Sequence, residues 1–279
     1  MNFGSVLWLV ILLITFVFPV WKMKRVERLR LELISRLEKK RGTRVVTLVH
    51  RQEAISLLGI PIARFINIED SEQVLRAIRL TPPDLPIDLI LHTPGGIVLA
   101  SEQIAMAMKR HRGKITVMVP HYAMSGGTML ALAAEQILMD ENAVLGPVDP
   151  QVGPYPAASI LAAVGRKPVK NLSDETLILA DIAEKAAGQV RQALAHILSG
   201  KMDERQALEL AELLTEGYWT HDYPLSVEDL KKMGLWVSVG LPEEVYRLME
   251  LYPQPDGRRP SVLYIPLPYR RENGGTGRE

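Results

Sequence analysis

Three apolar runs of strand length, each closed by a turn and followed by a helical pattern or a loop, constrain this chain more than anything else in it. The first is IDLILH (Ile87–His92), which ends at Thr93-Pro94-Gly95-Gly96 and leads into a helical stretch over residues 97–111. The second is ITVMVP (residues 115–120), which passes a turn at 121–125 into a helical stretch over 127–134. The third, residues 137–139, runs on to Gly146-Pro147-Val148-Asp149-Pro150. An earlier β-branched run, VVTLVH (residues 45–50), reads as a strand, and so do residues 64–68. Asp70 and Gln73 then read as a capping box for a helix over 71–79. Strand and helix alternating at this spacing predict an α/β fold with a parallel β core and right-handed crossovers. Beyond residue 173 the pattern becomes helical, over Asp174–Leu198, 203–214 and 227–233, with Gly200 and Gly217 as stops.

Composition narrows the chemistry. The chain has 279 residues and no cysteine, which removes thiol nucleophiles, disulfide scaffolds and Cys-ligated metals. A net charge of +1 gives no global basicity for nucleic acid, and no nucleic-acid partner is expected. The charge is unevenly spread. Residues 1–21 carry no charged side chain, whereas residues 22–44 hold ten basic against three acidic residues.

The uncharged run of residues 3–20 (FGSVLWLVILLITFVFPV) is near the lower limit for spanning a hydrocarbon core of roughly 30 Å. Trp21 stands at its end, and Lys22, Lys24, Arg25, Arg28 and Arg30 follow. This order predicts one transmembrane helix over residues 1–21, with the rest of the chain cytoplasmic beneath the cell membrane. Residues 22–44 are expected to leave the bilayer as a basic juxtamembrane helix, 45–251 to form the catalytic domain, and 252–279 a flexible tail.

Two turns at strand ends can carry chemistry, because ligands of open α/β sheets bind at the carboxyl ends of the strands. At Gly95-Gly96, paired glycines let backbone N–H groups approach a ligand. At Met124-Ser125-Gly126-Gly127, a serine on a strand-to-helix turn exposes its hydroxyl beside a helix N-terminus, where an oxyanion is stabilised. A serine N-cap with convenient glycines has the same spelling. No metal-ligand spacing and no phosphate loop occur, and no cofactor is expected.

Taken together, LHTPGG (91–96), VPHYAMSGGT (119–128) and LGPVDPQ (145–151) resemble the membrane-bound serine peptidases of the Clp-protease-like class. The motifs are most similar to the group labelled serine dehydrogenase proteinase. Signal peptide peptidase A, the Clp proteolytic subunit and, by fold, the crotonases are more distant. The resemblance implies a Clp-protease/crotonase-like fold over roughly residues 45–240. It also implies acyl-enzyme chemistry with Ser125 as nucleophile, Gly96 and Gly126 as oxyanion N–H donors, and Gly95 in the substrate-binding turn.

The base departs from the family pattern. Where the Clp subunit carries its histidine, this chain reads Val148-Asp149-Pro150-Gln151. A lysine base, as in signal peptide peptidases, points to Lys185, with Lys167 and Lys170 behind it; His121, four residues before Ser125, is the next candidate. Lys185 also reads as the surface partner of Asp181 at i,i+4, and Asp149 as either an orienting group or a turn residue. The expected partners are a peptide or membrane-protein substrate, the lipid bilayer and further copies of the chain. The alternatives are a crotonase-like acyl-thioester enzyme and a membrane scaffold without activity.

Overall fold

A computed structural model describes residues 15, 17–50, 56–57, 60–61 and 65–252. Its centre is a five-stranded sheet of β1 (Arg44–Val49), β2 (Ile87–His92), β3 (Ile115–Val119), β4 (Gln136–Met139) and β5 (Val237–Val239), in that order. Every neighbouring pair is parallel. β2 and β3 are buried at every position, as strands covered on both faces must be.

The period of two divides their side chains between two cores. Leu89, Leu91, Val117 and Val119 face one layer, built with α2 (Ile68–Arg79), α3 (Val98–Arg110), α4 (Gly126–Ala133), α6 (Asp174–Leu198), α7 (Glu204–Thr215) and α8 (Val227–Lys232). Ile90 and Met118 face the other, where Leu37 of α1 (Phe18–Arg41) meets Val245, Leu248 and Met249 of α9 (Glu243–Glu250). Strand order that follows chain order places right-handed crossovers on a single face, which leaves the opposite face for the first and last helices.

One polar pair fixes α1 to the sheet. Asp88 of β2 is fully buried, and its carboxylate takes both Arg41 Nε at 2.5 Å and Nη2 at 3.1 Å, with Thr43 Oγ1 at 2.6 Å. Arg41→Met is expected to cost about 3 kcal/mol in urea unfolding, because it leaves a buried carboxylate without its countercharge. Asp88→Asn in the same background should recover part of that loss.

Several sequence expectations shift at the edges. The helix over 71–79 begins earlier, at Ile68, and its capping box uses Asn67 and Asp70 rather than Asp70 and Gln73. Of the strand expected over 64–68, the described residues 65–68 do not form one; Ile66 makes one isolated bridge to Gly96. Helix α5 (Ala157–Gly165), strand β5 and helix α9 lie in stretches the sequence reading left without elements. Among the described residues no helix is long and apolar enough to cross a membrane. The apolar run of residues 3–20 falls mostly outside the described residues, as do residues 253–279 of the expected tail.

Candidate active site

The loops that follow β2 and β3 are tied to each other by backbone hydrogen bonds. Thr93 N–H donates to the Tyr122 carbonyl at 3.2 Å, and Met124 N–H donates to the Thr93 carbonyl at 3.0 Å. The β3 loop then turns sharply: Gly127 N–H donates to the Met124 carbonyl at 2.7 Å, closing a four-residue turn with Ser125 at its second position. Ser125 has φ 51° and ψ −118°, the values of a type II′ turn, which normally requires glycine there. It is the one non-glycine residue with positive φ among those described. Strain of about 1–3 kcal/mol at such a position persists only where neighbours hold it, and it clusters at functional sites.

The turn runs directly into α4, an eight-residue helix buried throughout. Gly126 is its first residue, so its N–H has no carbonyl four residues back within the helix. Opposite lies the Gly95-Gly96 turn. Gly95 has φ 103°, and a Cβ there would stand 2.7 Å from Ser125 Cβ. The amides on either side of Gly96 are engaged, Gly95 N–H by Thr93 Oγ1 at 3.2 Å and Ile97 N–H by the Ile66 carbonyl at 2.8 Å. The Gly96 amide makes no hydrogen bond to another described residue. Its nitrogen is 3.6 Å from where a Gly126 Cβ would sit, so the two amides are close neighbours beside the serine. Two adjacent donors at the N-terminus of a helix can stabilise negative charge developing on an acyl oxygen.

Thr93 is the hinge between these loops. Its hydroxyl oxygen accepts from Gly95 N–H and lies 2.9 Å from His50 Nδ1, and its methyl sits where a Cβ on Gly127 would meet it at 2.6 Å. His50 in turn reaches Asp70 through Nε2 at 3.3 Å. Thr93→Val is expected to cost about 1–3 kcal/mol through lost buried hydrogen bonds. By loosening the Gly96 donor it should also lower kcat by about 10–100-fold with little change in KM. Steady-state kinetics beside denaturant melts check both.

A cavity of about 320 Å3 opens over the serine. Its polar side is formed by Ser125, Gly96, Gly126, Asp149, Gln151 and His221, and its apolar side by Phe65, Ile97, Val98, Met129, Val148 and Val190. His221 was missed in the sequence. It comes from the loop between α7 and α8, which a two-way bridge between Leu145 and Leu225, at 3.1 and 2.8 Å, lays against the loop carrying Asp149. The available signal was the cluster Trp219-Thr220-His221-Asp222-Tyr223, dense in aromatic and titratable groups for a connecting loop. Asp149 is buried, and its Oδ1 lies 2.8 Å from His221 Nδ1, while its Oδ2 accepts from Gln151 Nε2 at 2.8 Å. The hydrogen bond to Asp149 lifts the imidazole above the ordinary histidine value of 6.5.

The bases suggested by the sequence lie elsewhere. Lys185 is on the exposed side of α6, 2.5 Å from Asp181, and does not line the cavity. Ile178 and Ile182, which share the face of Lys185 at helical spacing, are themselves 60% and 44% exposed; the buried face of α6 includes Ala183, Val190, Ala193 and Leu194. His121 is exposed and packs on the His92 ring at 5.8 Å, outside the cavity lining. Lys167 and Lys170 are exposed. A lysine whose burial lowers its pKa to about 8 does exist, Lys201, but it donates to the carbonyls of Leu132 and Ala134. That is the C-terminal end of α4, about 12 Å along the helix axis from Ser125. Lys201 caps the helix that Ser125 begins.

A strained serine at a helix start, two neighbouring amide donors and an adjoining cavity, all on a parallel α/β sheet, are the arrangement of a Clp-like serine hydrolase. The sequence comparison agrees: residues 1–277 match the family described as ClpP-like SDH-type serine proteinase, and the chain belongs to that family. It is 58% identical over 257 residues to an uncharacterized protein of Methanocaldococcus jannaschii, covering 92% of this chain and 88% of the relative. A second uncharacterized protein of that organism is 54% identical over 271 residues, covering 97% and 95%.

Proposed function

We propose that the chain is a serine peptidase that cleaves peptide bonds through an acyl-enzyme on Ser125. The observation that carries this reading is the Ser125 turn: a costly backbone conformation at a serine that lines one cavity with Gly96 and Gly126. Attack by Oγ on a carbonyl gives a tetrahedral oxyanion beside those two donors, and each such donor is worth roughly 10²–10³ in rate. The apolar cavity wall of Ile97, Met129, Val148 and Val190 favours an apolar side chain next to the scissile bond.

In this reading the uncharged run of residues 3–20 anchors the chain in the cell membrane, and the basic segment after it keeps the catalytic domain on the cytoplasmic side. Substrates are peptides or membrane-proximal protein segments. Copies of the chain associate through the arm of α6, where Leu177, Ile178 and Ile182 expose an apolar face.

Detergent-solubilised full-length protein should hydrolyse fluorogenic peptides with Leu, Met or Phe before the scissile bond at least about 10-fold faster than peptides with Lys or Glu there. Mass spectrometry of a rapidly quenched reaction should find the acyl group on Ser125. Absence of hydrolysis across such a panel, by protein that remains folded and assembled, removes the peptidase reading and favours a scaffold.

A further inference from the structure

Deepening that reading, we infer that Lys201 is a positioning residue for the Ser125 reaction: from the far end of α4 it holds that helix in place and lends its charge to the oxyanion site. It stands in the turn between α6 and α7, outside the cavity lining.

Helix α4 carries Ser125 at its cap and the Gly126 amide as its first N–H. All eight of its residues are buried, so the carbonyls at its end have no water to bond. Leu132 and Ala134 are both 0% exposed, and Lys201 Nζ donates to their carbonyls at 2.9 and 2.7 Å. Trp236 Nε1 adds a bond to the Ala134 carbonyl at 3.2 Å, and the Trp236 ring lies 5.4 Å from the ammonium. The next residue, Glu135, ties this end to β3: its Oε2 accepts from Ile115 N–H at 2.7 Å, and its own N–H donates to the Ile115 carbonyl at 3.0 Å. Ile115 begins the strand whose loop presents Ser125. Strand, serine turn and helix thus close a ring, and Lys201 sits where it closes.

Charge adds to this mechanical tie. The ammonium faces the negative end of the α4 dipole, and an oxyanion beside Gly126 faces the positive end. Across about 12 Å at an effective dielectric of about 20, a unit positive charge favours an oxyanion by about tenfold. Burial is the main cause that lowers the Lys201 pKa to about 8. Glu135 opposes that shift, and Lys109 of α3, which donates to the Ser199 carbonyl at 2.9 Å, reinforces it. Activity and stability therefore respond to pH with opposite signs. Above about pH 8 the oxyanion loses its distant cation. Between about pH 8 and 10.5 the folded chain binds less of this proton than the unfolded chain, so the group makes the fold more stable as pH rises.

Second-order labelling of the solubilised full chain by a fluorophosphonate, followed from about pH 6.5 to about pH 9.5 with a urea melt at each pH, tests the assignment. Wild-type labelling should fall about tenfold through the upper half of that range. Its urea midpoint should rise there relative to that of Lys201→Arg, whose charge does not titrate. Lys201→Arg should label near the wild-type neutral rate and lose the alkaline fall. Lys201→Met, which keeps the apolar stem, should label about tenfold more slowly at neutral pH and show no alkaline fall. A merely structural cap would lower the melts without changing the shape of the pH profile.

A wild-type rate that stays level through the alkaline range overturns the assignment and leaves the serine peptidase standing. So does a folded Lys201→Met that labels within about threefold of wild type, or an alkaline fall that folded Lys201→Arg retains in full. A wild type that does not label at neutral pH removes the peptidase reading, and this assignment with it.

Discussion

Ser125→Gly is expected to abolish hydrolysis and, at the same time, to make the protein more stable. The loss follows from removal of the nucleophile; triad serines replaced elsewhere cost about 10⁶ in kcat. The gain follows from the backbone. At φ 51° and ψ −118° serine occupies the glycine position of a type II′ turn. Glycine relieves the strain of about 1–3 kcal/mol. It also gives back part of that through greater freedom in the unfolded chain, of order 0.5–1 kcal/mol. The net expectation is a gain of about 1 kcal/mol in urea unfolding, whereas Ser125→Ala retains the strained conformation and should gain little. Equal stabilities for Ser125→Gly and Ser125→Ala would contradict the claim that strain is stored in this turn.

Gly96→Ala is expected to be nearly as damaging to activity, by about 10²–10³-fold in kcat, and to destabilise the fold as well. A Cβ on Gly96 falls 2.2 Å from the Ile66 carbonyl oxygen and 2.4 Å from its nitrogen. Both are backbone atoms, so no rotamer change relieves the overlap. Either the turn moves and withdraws its N–H from the oxyanion, or the bridge Ile66–Gly96 breaks together with the bonds from Ile66 N–H to Gly95 O and from Ile97 N–H to Ile66 O. Gly126→Ala provides the contrast. Its Cβ meets the side chain of Ser101, at 2.2 Å from Oγ, and a second change of Ser101→Gly should recover much of its stability. Kinetics and melts on the three variants separate a lost donor from a lost fold.

The parts of this molecule legible in the sequence are those set by local pattern. Runs such as IDLILH and ITVMVP have no polar alternation, because helices cover both faces of the sheet, and they emerged as central strands. The turns at Ser125-Gly126 and Gly95-Gly96 were readable because each follows a strand end within a few residues and is spelled by its own glycines. The His221–Asp149 pair was not, because His221 reaches the cavity through the pairing of Leu145 with Leu225, a contact between segments 80 residues apart in the chain. Lys185 misled for the complementary reason. Helical spacing shows that residues share a face, but not whether that face is covered, and the first half of α6 exposes Ile178 and Ile182. Short elements such as β5 have too few residues to show a period, and tertiary pairing with β4 makes them strands.

The central claim, that Ser125 is an activated nucleophile, is tested most directly by intact-mass and peptide-mapping spectrometry of the solubilised full chain after reaction with a fluorophosphonate at neutral pH. One adduct per chain, on the peptide containing Ser125 and absent from Ser125→Ala, is the predicted result. An assembled, folded wild type that takes up no adduct, or takes it up on another residue with Ser125 unmodified, would contradict it.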